Sequence, residues 1–390
     1  MSSLFFFIKD KKFVWLTLSS MIRIRYDEKE KSERGEKMKT IELSVIPGDG
    51  VGKEIMPHAL NVLDMVAELH GGIQFKKTEY PWSCEYYLEH GSMMPEDGLE
   101  RLQQSDAVFL GAVGNPQLVP DHVSLWGLLI KIRRGFQQAL NVRHAKQIRG
   151  IEPTITRANG FDLIVVRENS EGEYSEVGGR IHQGDDEIVV QNAVFTKKAT
   201  KRAMAYAFEL AKTRNNHVTS ATKSNGIVFS MPFWDEVFQE VADHHPQVKT
   251  QSIHIDALTA YLVSKPSEFD VIVASNLFGD ILTDVSAAVM GSIGIAPAAN
   301  LNVDGTYPSM FEPVHGSAPD IVGKGIANPI GQIWTGKMML DHFGEKELAA
   351  KLLDIVEDVT EAGIKTPDIG GSSSTEEVSE AIIERLKQLR

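Results

Sequence analysis

Two aspartates, Asp280 and Asp284, stand four residues apart in the stretch Asp270–Asp284, DVIVASNLFGDILTD. On a helix this spacing puts both carboxylates on one face. Like charges on adjacent turns repel each other unless a cation lies between them. Carboxylate oxygens suit Mg²⁺ or Mn²⁺ rather than a soft metal. A solvated helix start, with acids favoured by the dipole, would carry the same residues. Arg133, Arg143 and Arg167 are the next candidates. Guanidinium forks are the preferred grip on carboxylates, so three converging arginines imply a di- or tricarboxylate substrate. Scattered surface ion pairs are the alternative. Arg167 follows the apolar run Phe161–Val166, where a charge is costly unless it has a partner.

Lys223 follows a stretch that reads as a strand, Val218–Ala221, and is flanked by Thr222, Ser224 and Asn225. A lysine in a partly buried polar site can act as a base, whereas most lysines are surface charges. Asp256 has the same ambiguity, since it ends an extended segment and could serve as the N-cap of the helix after it. Tyr174 is an acid or an arm residue. His315 lies in a loop whose glycines and prolines exceed what ordinary packing needs. Asp320, five residues on, could accept hydrogen bonds from ribose hydroxyls.

The elements that must hold these groups alternate between strand and helix. Lys39–Ile46 reads as a strand, Pro47–Gly52 as a glycine turn and Lys53–Leu69 as a helix, the start of a βαβ unit. The turn is not GxGxxG, so it is no Rossmann fingerprint. Glu96–Gln104 and Ser124 to Leu140 read as helices. Tyr174–Thr196 reads as a hairpin or arm turning at Gly178-Gly179. Val271–Val273 reads as a buried parallel strand, followed by a turn through Ser275–Gly279 and then a helix. The alternation gives an α/β class with a largely parallel sheet.

The 390 residues suffice for two domains, and the formal charge of −13 argues against nucleic acid or an anionic membrane as partner. A single cysteine, Cys84, excludes an intramolecular disulfide framework and fits a reducing cytoplasm. No apolar run approaches the roughly 20 residues of a membrane helix. Residues 1–37 mix short apolar patches with dense charge and lack the order of a cleavable signal peptide. They read as an appended, poorly ordered and dispensable extension.

Six blocks from Met38 onward resemble the β-decarboxylating dehydrogenases, the isocitrate, isopropylmalate, homoisocitrate and tartrate/D-malate group. They are PGDGVGKE (Pro47–Glu54), NVR (Asn141–Arg143), VVRENSEGEY (Val165–Tyr174), TKSN (Thr222–Asn225), SNLFGDILTD (Ser275–Asp284) and EPVHGSAPDIVGKGIANP (Glu312–Pro329). The resemblance implies a two-domain isopropylmalate-dehydrogenase-like α/β fold with a non-Rossmann dinucleotide site. Residues 38–138 and 292–390 would form a cofactor-binding domain, and 139–291 a domain for substrate, metal and dimerisation. It implies that Arg133, Arg143 and Arg167 bind substrate carboxylates. Asp280 and Asp284 would hold Mn²⁺ or Mg²⁺ with Asp256 of the neighbouring subunit. Lys223, also from the neighbour, would be the base and Tyr174 the acid. His315, Gly316, Ser317, Ala318, Asp320 and Asn328 would bind the adenosine half of the cofactor. Segment Tyr174–Thr196 would clasp the second subunit of a homodimer, and K⁺ is a further cofactor common in the family.

NADP enzymes of this family carry a lysine and a tyrosine where this chain has Asp320 and Ile321. A carboxylate there repels a 2′-phosphate, so NAD is expected. The segment Ser124–Ile132 decides the substrate. Isopropylmalate enzymes have an acid where this chain has Trp126, and this segment is one residue longer before Arg133. Asp121–Leu129, DHVSLWGLL, is most similar to the tartrate/D-malate dehydrogenases. Ser124, Trp126 and Leu128 are therefore expected at the substrate, with Trp126 filling the space of a larger substituent. A 3-isopropylmalate dehydrogenase is the second reading, and a catalytically silent regulatory subunit the third.

Overall fold

The computed structural model describes residues 38–155 and 160–389. The expected N-terminal extension therefore lies outside the described residues. A ten-stranded sheet runs in the order β2-β1-β3-β12-β11-β4-β5-β10-β8-β9. The strands are β1 (Lys39–Gly48), β2 (Ile73–Glu79), β3 (Ala107–Ala112), β4 (Leu140–Lys146), β5 (Asp162–Glu168), β8 (His217–Thr222), β9 (Lys249–His254), β10 (Val271–Ala274), β11 (Pro297–Leu301) and β12 (Ser309–Pro313). Pairing is parallel except where β11 meets β12 and β4, and where β4 meets β5. Those antiparallel pairs join two parallel halves of opposite direction. Ligands bind where strand direction or order switches in open α/β sheets. All six residues of β3, AVFLGA, are buried, as a strand covered on both faces requires.

Helices cover both faces. They are α1 (Val51–His70), α2 (Cys84–His90), α3 (Gly98–Leu102), α4 (Asp121–Ser124), α5 (Ile130–Gly135), α6 (Lys197–Lys212), α7 (Ser230–Ala242), α8 (Ile255–Ser264), α9 (Asn276–Met290), α10 (Ile330–His342), α11 (Lys346–Glu361) and α12 (Thr375–Lys387). A large core runs under most of the sheet. A smaller one, including Trp82, Met93, Leu110, Leu128, Ile132 and Phe136, anchors α5.

Several elements differ from the sequence reading. The helix expected from Ser124 to Leu140 is broken. It contains a π-helical turn, Leu125–Leu129, in which the Ile130 N–H donates to the Leu125 carbonyl, and it ends at Gly135. Such a wide turn takes up more residues than an ordinary helical turn. Arg167 lies inside β5 rather than beyond it. Gly279 belongs to α9 and not to a turn. Asp256 lies in the first turn of α8, where His254 takes the N-cap position. The arm is an antiparallel hairpin, β6 (Gly178–Ile181) with β7 (Ile188–Gln191). Gly178 and Gly179 sit in its first strand, and the chain reverses through Gly184–Asp186 instead. The helix expected over Glu96–Gln104 shrinks to α3.

Candidate active site

Arg167, only 4% exposed, is held on three sides. Its Nε and Nη2 donate to the Asn276 side-chain oxygen at 3.0 and 2.7 Å, and its Nη1 to Asp280 at 2.6 Å. Arg143, on the adjacent strand β4, donates to Asp280 at 3.4 Å, to Asp284 at 3.3 Å and to Thr283 at 2.7 Å. The Tyr174 hydroxyl donates to the other Asp280 oxygen at 2.9 Å, and the Arg167 guanidinium lies over its ring at 5.6 Å. Helix spacing thus does put Asp280 and Asp284 on one face, and the sheet brings two arginines to it.

The electrostatics follow from this crowding. Burial pushes Arg167 down to about 10, opposed by Asp280 and assisted by the charges of Arg143 and Arg133. Burial also lowers Arg143, again with Arg133 as a repelling neighbour. The three guanidiniums therefore sense one another, and an anionic ligand would relieve the repulsion. Burial raises Asp284, and the neighbouring Asp280 charge adds to the rise. Burial and the hydrogen bond to Asp280 raise Tyr174, which keeps its proton.

Arg133 joins the group through residues that the sequence reading left without a role. Its Nη2 donates to Glu312 at 2.6 Å. Asn300 donates to the same oxygen at 2.7 Å, Asn141 donates to Asn300 at 2.9 Å, and Arg143 Nε donates to Asn141 at 2.8 Å. A buried polar chain across β12, β11 and β4 thus links two of the three arginines. Arg133 Nε is buried and has no partner among the described residues, so it can still donate to a ligand or a water. The sequence signal was present, because Asn141 and Glu312 lie in two of the six blocks. Their function depends on strand register.

The model of the isocitrate/isopropylmalate dehydrogenase family matches residues 42–382. This chain belongs to that family. A Bacillus subtilis (strain 168) protein described as a probable tartrate dehydrogenase/decarboxylase is 66% identical over 90% of this chain and 99% of its own. The D-malate dehydrogenase [decarboxylating] of Escherichia coli (strain K12) is 50% identical over 88% and 98%. Among solved structures, isocitrate dehydrogenase from Methylococcus capsulatus superposes with a TM-score of 0.79, 32% identity, and coverage of 89% of this chain and 100% of that one. An apo β-decarboxylating dehydrogenase from Thermococcus kodakarensis gives 0.74 at 36% identity, covering 90% and 97%. The chain is an enzyme, a decarboxylating dehydrogenase acting on a CH–OH group. The family generally uses NAD(P) and a divalent metal.

The other expected residues of this dehydrogenase fall into three groups. Lys223 and Asp256 form an ion pair with each other at 2.8 Å, and Asp256 does not join Asp280 and Asp284 within the chain. Ser124 and Leu128 are fully buried, whereas Trp126 is 40% exposed. The loop His315–Asp320 lies against the start of α1, where the Val51 N–H donates to the Ser317 carbonyl at 2.9 Å. Ser317 is buried and its hydroxyl donates to the Gly114 carbonyl. Ala318 has a positive φ of 42°. The Asn328 side chain is spent on Asp368, at 3.0 Å, and on the Ile330 N–H.

The residues fit the groups that the family uses. Asp280 and Asp284 contact the same Arg143 guanidinium, so a single cation can bridge two hard-oxygen donors. In the loop expected to bind cofactor, His315 Nε2 is buried without a partner among the described residues, nothing stands within 4 Å of a side chain built at Gly316, and Asp320 is exposed. Among the described residues, no helix is long and apolar enough to cross a membrane.

Proposed function

We propose that the enzyme is an NAD- and divalent-metal-dependent dehydrogenase that converts D-malate to pyruvate and carbon dioxide, with tartrate oxidation as a related activity. The convergence of three guanidiniums beside a two-carboxylate helical turn carries the reading, and the tartrate and D-malate dehydrogenases among its relatives support its substrate. Arg133, Arg143 and Arg167 bind the two substrate carboxylates. Lys223 takes the hydroxyl proton as the hydride leaves C2, and NAD⁺, when bound, would be the hydride acceptor. The resulting keto acid has a carboxylate β to the ketone, and loss of carbon dioxide leaves an enolate at C3. Tyr174 gives that carbon its proton. A divalent cation held by Asp280 and Asp284 supplies Lewis-acid polarisation of the hydroxyl side of the substrate.

Lys223 and the third metal ligand, Asp256, come from a second copy in this reading, which gives a homodimer with shared sites. The exposed apolar residues of the hairpin, Ile181, Ile188, Val189 and Val190, suit it as the clasp. Residues 38–138 with 292–390 form the cofactor half, and 139–291 the half for substrate, metal and dimer contacts. His315, Gly316, Ser317, Ala318 and the main chain at Asn328 bind the adenosine half. The exposed Asp320 selects NAD. A cytoplasmic location and K⁺ activation complete the proposal.

The test is NADH formation with Mn²⁺ on D-malate, tartrate, 3-isopropylmalate and isocitrate at equal concentration. Preference for D-malate with pyruvate as product is expected. Preference for 3-isopropylmalate would keep the residues and change the substrate. No turnover of any of the four would leave a regulatory subunit, against which stands the presence of Tyr174, Lys223, Asp256, Asp280 and Asp284.

A further inference from the structure

Arg134 takes no part in the chemistry above, yet its guanidinium is engaged on three sides. It stacks over the Trp126 ring with its carbon 4.7 Å from the centroid. Its Nη1 pairs with the Glu176 carboxylate. Its Nη2 donates to the main-chain carbonyl of Tyr174 at 3.4 Å. Trp126 belongs to the π turn and Arg134 to α5, whereas Tyr174 and Glu176 belong to the segment after β5. One side chain therefore ties two separate parts of the chain together, at the residue whose hydroxyl rests on Asp280.

The π turn explains how the stack arises. Eight residues of ideal α-helix leave two side chains about 80° apart around the axis. A turn that spends an extra residue reduces that lag and places Trp126 and Arg134 on one face. Helical side chains lean toward the N-terminus, so a long arginine reaches back over the ring. Arg134 and Glu176 are both exposed, so the pair adds little to stability. What it supplies is direction. A planar guanidinium seated on an aromatic face can aim its remaining donors at one carboxylate and one carbonyl.

We propose that Arg134, seated on Trp126, is a positioning residue that fixes the main chain of Tyr174 so that its hydroxyl stays at Asp280. This rests on the reading of Tyr174 as the proton donor. It also gives Trp126 a second task, as the platform of this bracket, beside any steric role toward substrate.

The experiment compares R134A, R134K, E176Q, Y174F and the double variant R134A/Y174F in the metal-loaded enzyme with D-malate, NAD and Mn²⁺. R134A should lower kcat about tenfold or more, because small misplacements of a reacting group are expensive. KM for D-malate should stay within about twofold, because the three substrate arginines are untouched. R134K, which keeps the charge and loses the planar fork, should recover part of the rate. E176Q loosens the bracket from its exposed end and should show the same split between kcat and KM. The double variant should be no slower than Y174F, because both act through one hydroxyl. Wild-type kcat in R134A and E176Q, with Y174F impaired, overturns the bracket alone. So does an additive loss in the double variant, or a rise in KM that R134K does not repair. Full turnover by Y174F overturns the reading of Tyr174 and the bracket with it.

Discussion

Lys223 and Asp256 pair with each other at 2.8 Å, while Asp280 is engaged by Arg167, Arg143 and Tyr174. The expected base and one expected metal ligand thus form one unit, and the expected acid, the other two expected metal ligands and two of the arginines expected to grip the substrate form another. If the two units complete each other across a homodimer, impaired variants should rescue one another. K223M and Y174F, each strongly impaired alone, are mixed under dissociating conditions and reassociated. Random pairing in a symmetric dimer leaves about a quarter of the sites with both residues intact. NADH formation should recover to about that level, and a mixture that stays silent would count against shared sites.

Glu312 is the hinge of the buried polar chain, because both Arg133 and Asn300 donate to the same oxygen. Its side chain is 10% exposed and that of Arg133 13%. Removing one partner of a buried pair costs about 3–5 kcal/mol, because the other charge is left uncompensated. E312A should therefore lower the thermal midpoint markedly. E312Q keeps an acceptor for Arg133 and should fold, with KM for the substrate raised about tenfold and kcat less affected. Unchanged KM in E312Q would mean that Arg133 needs no such support.

Much of the molecule was legible in the sequence, for reasons that can be named. The apolar runs of β3, β5 and β10 announce strands buried on both faces, and the Asp280–Asp284 spacing survives intact because α9 is an ordinary helix. What was not legible depends on partners distant in the chain. Arg167 looked like a residue past the end of a strand because a charge inside one needs Asn276 and Asp280, more than 100 residues on. The reversal of the arm went to the glycine pair because glycines favour turns. In the structure those glycines are strand residues, and Gly178 has no room for a side chain beneath the Val190 carbonyl. The stretch Ser124–Leu140 read as one helix, and the π turn within it was missed. Leu128 and Ile132, four apart, both reach the smaller core, as they would on an ordinary helix, so the apolar pattern does not distinguish the two.

Asp320 is exposed, and in the proposed function it is the residue that selects NAD. A lysine there and a tyrosine at the neighbouring Ile321 would exchange repulsion of a 2′-phosphate for attraction. The double substitution D320K/I321Y should raise kcat/KM for NADP and lower it for NAD, shifting the ratio by about a hundredfold or more, since two charge changes act on one phosphate. Equal preference before and after would place the discriminating residues elsewhere.

Cys84 is buried, and burial together with the Asp49 charge and hydrogen bond pushes its thiol up to about 12. The reactive form is the thiolate, so the folded enzyme should stay inert toward thiol reagents. An exposed cysteine with an ordinary value near 8.5 would react about tenfold or more faster at pH 9 than at pH 7. Cys84 should show no such rise in the folded enzyme, and its labelling rate should instead follow unfolding by denaturant. A steep increase between pH 7 and pH 9 without unfolding would show that the thiol is accessible.

Gly279 sets helix propensity against packing. Alanine in a helix interior is favoured over glycine by about 1 kcal/mol, so G279A should stabilise α9 if nothing opposed it. A Cβ built at Gly279 lies 2.6 Å from Arg167 Cγ, 2.7 Å from its Cβ and 3.3 Å from its Cα. The nearest of these atoms belong to the root of the side chain and cannot swing aside, and Arg167 is pinned at its far end by Asn276 and Asp280. Relief would require β5 and α9 to separate, and overpacking of this kind costs about 1–3 kcal/mol. The clash therefore outweighs the propensity gain. G279A should lower the thermal midpoint and raise KM for the dicarboxylate, because Arg167 is displaced from Asp280. An enzyme with a higher midpoint and unaltered KM would show that Arg167 has more freedom than its contacts imply.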